Sequence, residues 1–168
     1  MGCMMGTQLL LEQSQADEIL QIAKKFDDDL KVYEIPVWQP NHSAKVSYGV
    51  SPMNGDESFG PMDHSLYLKG RCEDEEDKTL TFFHRVSRNF ICRLDYGNHL
   101  VPHGNPDGSV VFGPHLHVYR EGIRDSFALP LKDIFPDYNG DSIGLIKMFL
   151  DYCHISYEDV AFQGDLYA

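Results

Sequence analysis

The order of apolar and polar residues divides the chain into a helix, a long run of strands and a second helix. Ser14-Gln15-Ala16-Asp17 reads as an N-cap with an acid in the first turn. Ile19, Leu20, Ile22, Ala23 and Phe26 follow near helical spacing, which predicts a helix over 15–26 that stops at Asp27-Asp28-Asp29. Strand-like segments come next, over 31–38, 44–50, 65–69, 79–86, 89–95, 110–112, 115–120 and 127–131. Those at 79–86 and 89–95 form the clearest pair, joined near Ser87-Arg88. Ile143, Ile146, Phe149, Leu150 and Cys153 return to helical spacing behind Asp141 and Ser142, predicting a helix over 142–153. The tail, 155–168, shows no clear period. Helix, antiparallel strands and helix make an α+β chain. The expected architecture is an antiparallel curved sheet or partial barrel flanked by an N-terminal and a C-terminal helix. A flexible leader over 1–13 precedes a single domain over 14–168.

Composition narrows the class. The 168 residues are 42% apolar and 24% charged, as in an ordinary folded domain. No apolar run approaches the roughly 18–20 residues of a membrane span, and the N-terminus lacks the basic and apolar regions of a secretory signal. Cys3, Cys72, Cys92 and Cys153 are far apart, without a C-x-x-C, which argues against a compact zinc knuckle or a disulfide framework. Reduced thiols and a cytoplasmic location are expected.

The formal charge of −12 is unevenly spread. Residues 80–124 hold five basic and three acidic residues, a local +2 that leaves −14 on the remainder, and five of the eight histidines. The stretch VPHGNPDGSVVFGPHLHVYREG, 101–122, concentrates them. Asn105-Pro106-Asp107-Gly108 is a turn signal, able to fold His103 back toward His115 and His117. Alternation along a strand places His115, His117, Tyr119 and Glu121 on one face and Leu116, Val118 and Arg120 on the other.

Three chemical readings follow. The histidines can act as general acid and base without metal, since imidazole titrates near neutrality. His103, His115 and His117 would then be catalytic, Tyr119 would orient the substrate, and Arg85, Arg88, Arg93 and Arg120 would hold a phosphate. That constellation suits RNA cleavage through the 2′-hydroxyl. Alternatively His103, His115, His117 and Glu121 bind a divalent metal, because imidazoles at i and i+2 on a strand can reach one ion. H-x-H-x-x-x-E resembles the first metal motif of cupins, with no second half downstream. Or the rings are structural, bonded to backbone carbonyls and carboxylates, and the arginines pair with the acidic run 73–77. Walker, G-x-G-x-x-G, G-x-S-x-G and H-E-x-x-H motifs do not occur.

From Arg93 to Leu131 the chain resembles a family of small bacterial and prophage proteins whose pattern is Pro-His, then Asn-Pro-Asp-Gly, then His-x-His-x-Tyr-Arg-Glu-Gly. Here these are Pro102-His103, Asn105 to Gly108 and His115 to Gly122. Gly104 stands where the family pattern has a Thr-like residue. The resemblance implies an accessory, defence or toxin–antitoxin role and carries no catalytic assignment. The leading expectation is a metal-independent ribonuclease with no cofactor, acting on RNA. The alternatives are a noncatalytic acidic inhibitor of a basic nucleic-acid-binding partner, and a cupin-like metal-binding protein. No membrane partner is expected. Imidazoles more than about 10 Å apart, too far for one ion or water to bridge, would exclude both histidine chemistries.

Overall fold

The computed structural model describes residues 11–27, 33–35, 45–53, 64–70, 78–84, 88–97, 100–138, 142–158 and 160–162. Arg85, the acidic run 73–77 and residues 1–10 of the expected leader lie outside them.

The first helix, α1 (Gln13–Gln21), starts earlier and ends earlier than its periodicity predicts. Glu12, not Ser14, is the N-cap, and its backbone N–H donates to Gln15 Oε1 at 3.0 Å in a capping box. Leu11 to Gln13, expected in the leader, are engaged: Leu11 is buried, and the Gln13 side chain accepts from the Glu121 N–H. Lys24 sets the other end. It is fully buried, and its ammonium donates to the carbonyls of Ile19, Leu20 and Ile22 at 2.6, 3.1 and 2.7 Å. Those are the groups a helix C-terminus leaves without partners. With the helix closed there, Ile22 turns extended and Lys24–Phe26 becomes β1.

The strands are β2 (Tyr33–Ile35), β3 (Lys45–Pro52), β4 (His64–Gly70), β5 (Lys78–His84), β6 (Asn89–Tyr96), β7 (His103–Gly104), β8 (Val110–Val111), β9 (His115–Arg120) and β10 (Arg124–Pro130). After them come α2 (Leu131–Ile134), α3 (Ser142–Tyr152), β11 (Ile155–Ser156) and β12 (Val160–Phe162). Eight strands form one open sheet in the order β10-β9-β6-β5-β4-β3-β1-β11, antiparallel except for the β1–β11 pair. Two small pairs, β12–β2 and β7–β8, stand outside it. The chain is thus α+β, with an open antiparallel sheet and helices toward both ends.

Register explains which face is core. Leu80, Leu94 and Leu116 lie side by side across β5, β6 and β9, as do Phe82, Cys92 and Val118. All six are buried and cluster with Ala16 and Ile19 of α1 and with Leu145, Ile146, Phe149 and Leu150 of α3. Each such side chain contributes about 1.5–3 kcal/mol on burial. The Cys92 and Cys153 thiols are free and 3.2 Å apart inside this core, where burial pushes the Cys153 thiol well up. The next residues along the strands, Arg93 paired with His117 and Asp95 paired with His115, point to the opposite face.

Burial pulls Lys24 down to about 8, partly offset by the nearby Cys153 and Cys92. Between that value and the 10.5 of an unfolded lysine, the unfolded chain binds the extra proton, so the burial penalty is present below pH 8 and is relieved as pH rises. The stability difference between wild type and Lys24→Met is therefore expected to shift toward wild type by about 2–3 kcal/mol from pH 7 to pH 10, measured by denaturant titration at each pH.

Candidate functional site

The face opposite the helices is covered by the β7–β8 hairpin. Its turn is built as the sequence predicts. The Gly108 N–H donates to the Asn105 carbonyl at 3.0 Å, and the Asn105 N–H to the Ser109 carbonyl at 2.8 Å. Gly108 takes φ +89°, which a side chain would oppose. Asp107 caps the turn by accepting from the Ser109 N–H and hydroxyl. Asn105 then reaches across to β10. Its amide donates to the Ala128 carbonyl at 2.9 Å, and its side-chain oxygen accepts from the Ala128 N–H at 2.8 Å. This two-point clamp fixes the hairpin over the sheet.

The hairpin delivers His103 to the two histidines of β9. Ring centroids are 4.6 Å apart for His103 and His117, 5.7 Å for His103 and His115, and 4.8 Å for His115 and His117. The rings do converge. His115 and His117 are each only 4% exposed, and His103 is half-buried.

Hydrogen bonds set the proton positions. His115 Nδ1 lies 2.8 Å from the Gly113 carbonyl, and His117 Nδ1 lies 2.8 Å from the Asp125 carbonyl. A carbonyl only accepts, so each Nδ1 carries its hydrogen. Both Nε2 atoms turn to one oxygen, Asp95 Oδ2, at 3.5 Å from His115 and 3.2 Å from His117. His103 is held the other way round: Nε2–H donates to the Ser126 carbonyl at 2.8 Å, leaving Nδ1 with its lone pair.

Arg93 completes the polar set, with Nε 3.4 Å from Asp95 Oδ2 and Nη1 3.2 Å from Asp125 Oδ2. Burial works against charge on Asp95, but hydrogen bonds from His115 and His117, aided by Arg93, hold its carboxyl well below the usual carboxylate range. Burial likewise works against His115 as a cation, yet its bonds to Asp95 and the Gly113 carbonyl leave its affinity for a proton raised. Arg93, Asp95, His103, His115, His117, Asp125 and Ser126 line an open pocket of about 580 Å³. Gly104 also lines it, and a Cβ there would meet nothing within 4 Å, so the missing Thr-like side chain leaves open space.

Four expected site residues lie elsewhere. Tyr119 is buried near the start of α1, where its hydroxyl donates to the Leu11 carbonyl at 2.5 Å. It ties Leu11, just ahead of α1, to β9 and does not line the pocket. Tyr119→Phe is expected to lower stability by about 1 kcal/mol in an unfolding titration without changing events in the pocket. Arg120, on the helix side of β9, stacks its guanidinium 5.6 Å from the Phe127 ring centre and bonds the Tyr119 carbonyl. Arg88 sits in the turn before β6, roughly 16 Å along the strand from Arg93. Glu121 lies in the turn after β9, because the strand ends at Arg120, and it does not line the pocket. Asp95 takes the place expected for Glu121. In the sequence Asp95 is one of the three acidic residues of 80–124, and nothing sets Asp125 apart. The one available signal was that Asp95 lies two residues from Arg93 on a strand.

Among the described residues no helix is long and apolar enough to cross a membrane. No curated protein and no solved structure matches the chain. A family pattern does match, over residues 11–155, which includes the whole pocket: the chain belongs to DUF6978, a family of unknown function.

Proposed function

We propose that this pocket cleaves RNA by moving the phosphoryl bond from a 5′-oxygen to the adjacent 2′-hydroxyl, without a bound metal. The observation that carries the reading is the convergence of three imidazoles, 4.6–5.7 Å between ring centres, on one pocket with a guanidinium in its wall. His103, with Nε2–H committed to Ser126, offers Nδ1 to take the 2′-hydroxyl proton. The new O2′–P bond forms as the P–O5′ bond breaks. His117, its ring fixed by the Asp125 carbonyl and its Nε2 beside Asp95, supplies the proton to the departing 5′-oxygen. His115 backs the same carboxylate. Arg93 uses Nε and Nη1 on Asp95 and Asp125, leaving Nη2 for a phosphate oxygen. The products are a 2′,3′-cyclic phosphate and a free 5′-hydroxyl.

The volume suits about one nucleotide. A cytoplasmic location fits an RNA substrate, and RNA cutting fits the accessory, defence or toxin role, in bacteria or their prophages, that the family resemblance implies. The test is direct. Purified protein in chelator is incubated with a single-stranded RNA and with DNA of the same sequence. RNA cut to cyclic-phosphate ends with DNA intact is the expected outcome, because DNA lacks the attacking hydroxyl. Uncut RNA overturns the proposal.

A further inference from the structure

We infer that Asp95, His115 and His117 form a binding site for a divalent transition-metal cation, and that a cation held there silences the acid–base chemistry. The second half rests on the RNA-cleavage reading; the first does not.

Both Nδ1 atoms donate to backbone carbonyls, so a neutral ring presents an unprotonated Nε2 to Asp95 Oδ2. Three acceptor atoms then crowd together, all within 4.8 Å of one another. Such an arrangement calls for positive charge at its centre, either protons on both rings or one cation. Two of the three spacings suit a cation as they stand, and the two imidazole nitrogens, up to 4.8 Å apart, would draw together on it. Two ligands at about 2.0–2.2 Å in tetrahedral array stand roughly 3.3 Å apart, and the carboxylate oxygen lies 3.2 and 3.5 Å from the two nitrogens. The outer shell has the form metal-bound imidazole takes, with Nδ1–H given to a carbonyl so that ring and tautomer are fixed in advance. The donors come from two neighbouring strands with Asp95 and His115 directly paired, so little ordering remains on binding.

Two imidazole nitrogens and one carboxylate oxygen select a borderline ion such as Zn²⁺ over Mg²⁺ or Ca²⁺, which prefer oxygen alone. Arg93 opposes the ion, since its Nε lies 3.4 Å from the same oxygen, and Asp125 offsets that charge from the other side of the guanidinium. His103 falls outside the ligand set, because among the described residues only Asp95, His115 and His117 bring their ligand atoms together. Cation and proton shuttle both require Nε2 of His117, so each excludes the other.

Chelator-stripped full-length protein is titrated calorimetrically with ZnCl₂ and, separately, MgCl₂, with circular dichroism to verify the fold. One Zn²⁺ per chain and no Mg²⁺ is expected. Affinity should fall at least 100-fold in Asp95→Asn and in the double variant His115→Gln/His117→Gln, and stay within a few-fold in His103→Gln. Co²⁺ in place of Zn²⁺ should give visible ligand-field bands that vanish in the double variant. No Zn²⁺ uptake by the folded protein, or uptake unchanged in the double variant, overturns the site; loss of uptake in His103→Gln overturns the ligand set. RNA cleavage is then followed with and without one equivalent of Zn²⁺. Inhibition reversed by chelator supports silencing, and cleavage undiminished by bound Zn²⁺ overturns it. Zn²⁺ binding with no cleavage in either state removes the RNA-cleavage reading, and silencing with it, and leaves the cation site standing.

Discussion

His117→Ala is expected to cut the rate of RNA cleavage by about 10²–10⁴-fold, the usual worth of a positioned proton donor, with the sheet still folded. The two halves of that expectation have separate sources. His117 contributes the Nε2 nearest to Asp95, at 3.2 Å, and its ring is pinned by the Asp125 carbonyl, a bond that neither other ring makes. Its side chain lies on the pocket face of β9, while Leu116 and Val118 fill the core from the other face. Truncation therefore removes two hydrogen bonds and leaves the apolar packing intact, a loss of about 1–3 kcal/mol. Single-turnover cleavage of a defined RNA, alongside a thermal melt, separates the two effects. A folded variant that cuts at the wild-type rate would remove His117 from the chemistry.

Asn105→Ala is expected to lower stability by about 2–4 kcal/mol, with a melting temperature lower by roughly 5–12 °C. Asn105 is buried, and its side chain satisfies both the N–H and the carbonyl of Ala128, itself only 1% exposed. Alanine would leave both backbone groups shielded from water without a partner. Asn105→Asp should be no better, because a carboxylate set against the Ala128 carbonyl replaces a donor with a repelling charge. The same clamp holds the hairpin that carries His103, so cleavage should fall together with stability. Denaturant titration measures the first, and hydrogen exchange at the Ala128 amide locates it. Unchanged exchange there would show that the clamp contributes nothing.

Much of this arrangement was legible because it is local. Alternation in HLHVYR put Leu116 and Val118 in the core with both histidines on the other side, and the Asn-Pro-Asp-Gly turn returned His103 to them. What was missed depends on distant partners. Asp95 becomes part of the site only through the β6–β9 register that sets it opposite His115, and nothing around residue 95 announces that pairing. Tyr119 has the right parity for the pocket, but the Leu11 carbonyl, just ahead of α1, takes its hydroxyl. Lys24 would be read as exposed in any helix, and only its three carbonyl acceptors explain why the helix stops short of it. The arginines separated for the same reason: one strand period decides face, but the fold decides neighbours.

The clamp at Asn105 has a further consequence for the outermost strand, β10. A sheet border normally offers an unpaired row of amides and carbonyls, a template on which another chain can grow. Along β10 that row is taken: Ser126 gives its carbonyl to His103, Ala128 gives both groups to Asn105, and Pro130 has no amide to give. The residues that assemble the pocket thereby also guard this border against strand-by-strand aggregation. Any change that lifts the hairpin exposes an adhesive border at the same moment that it dismantles the pocket.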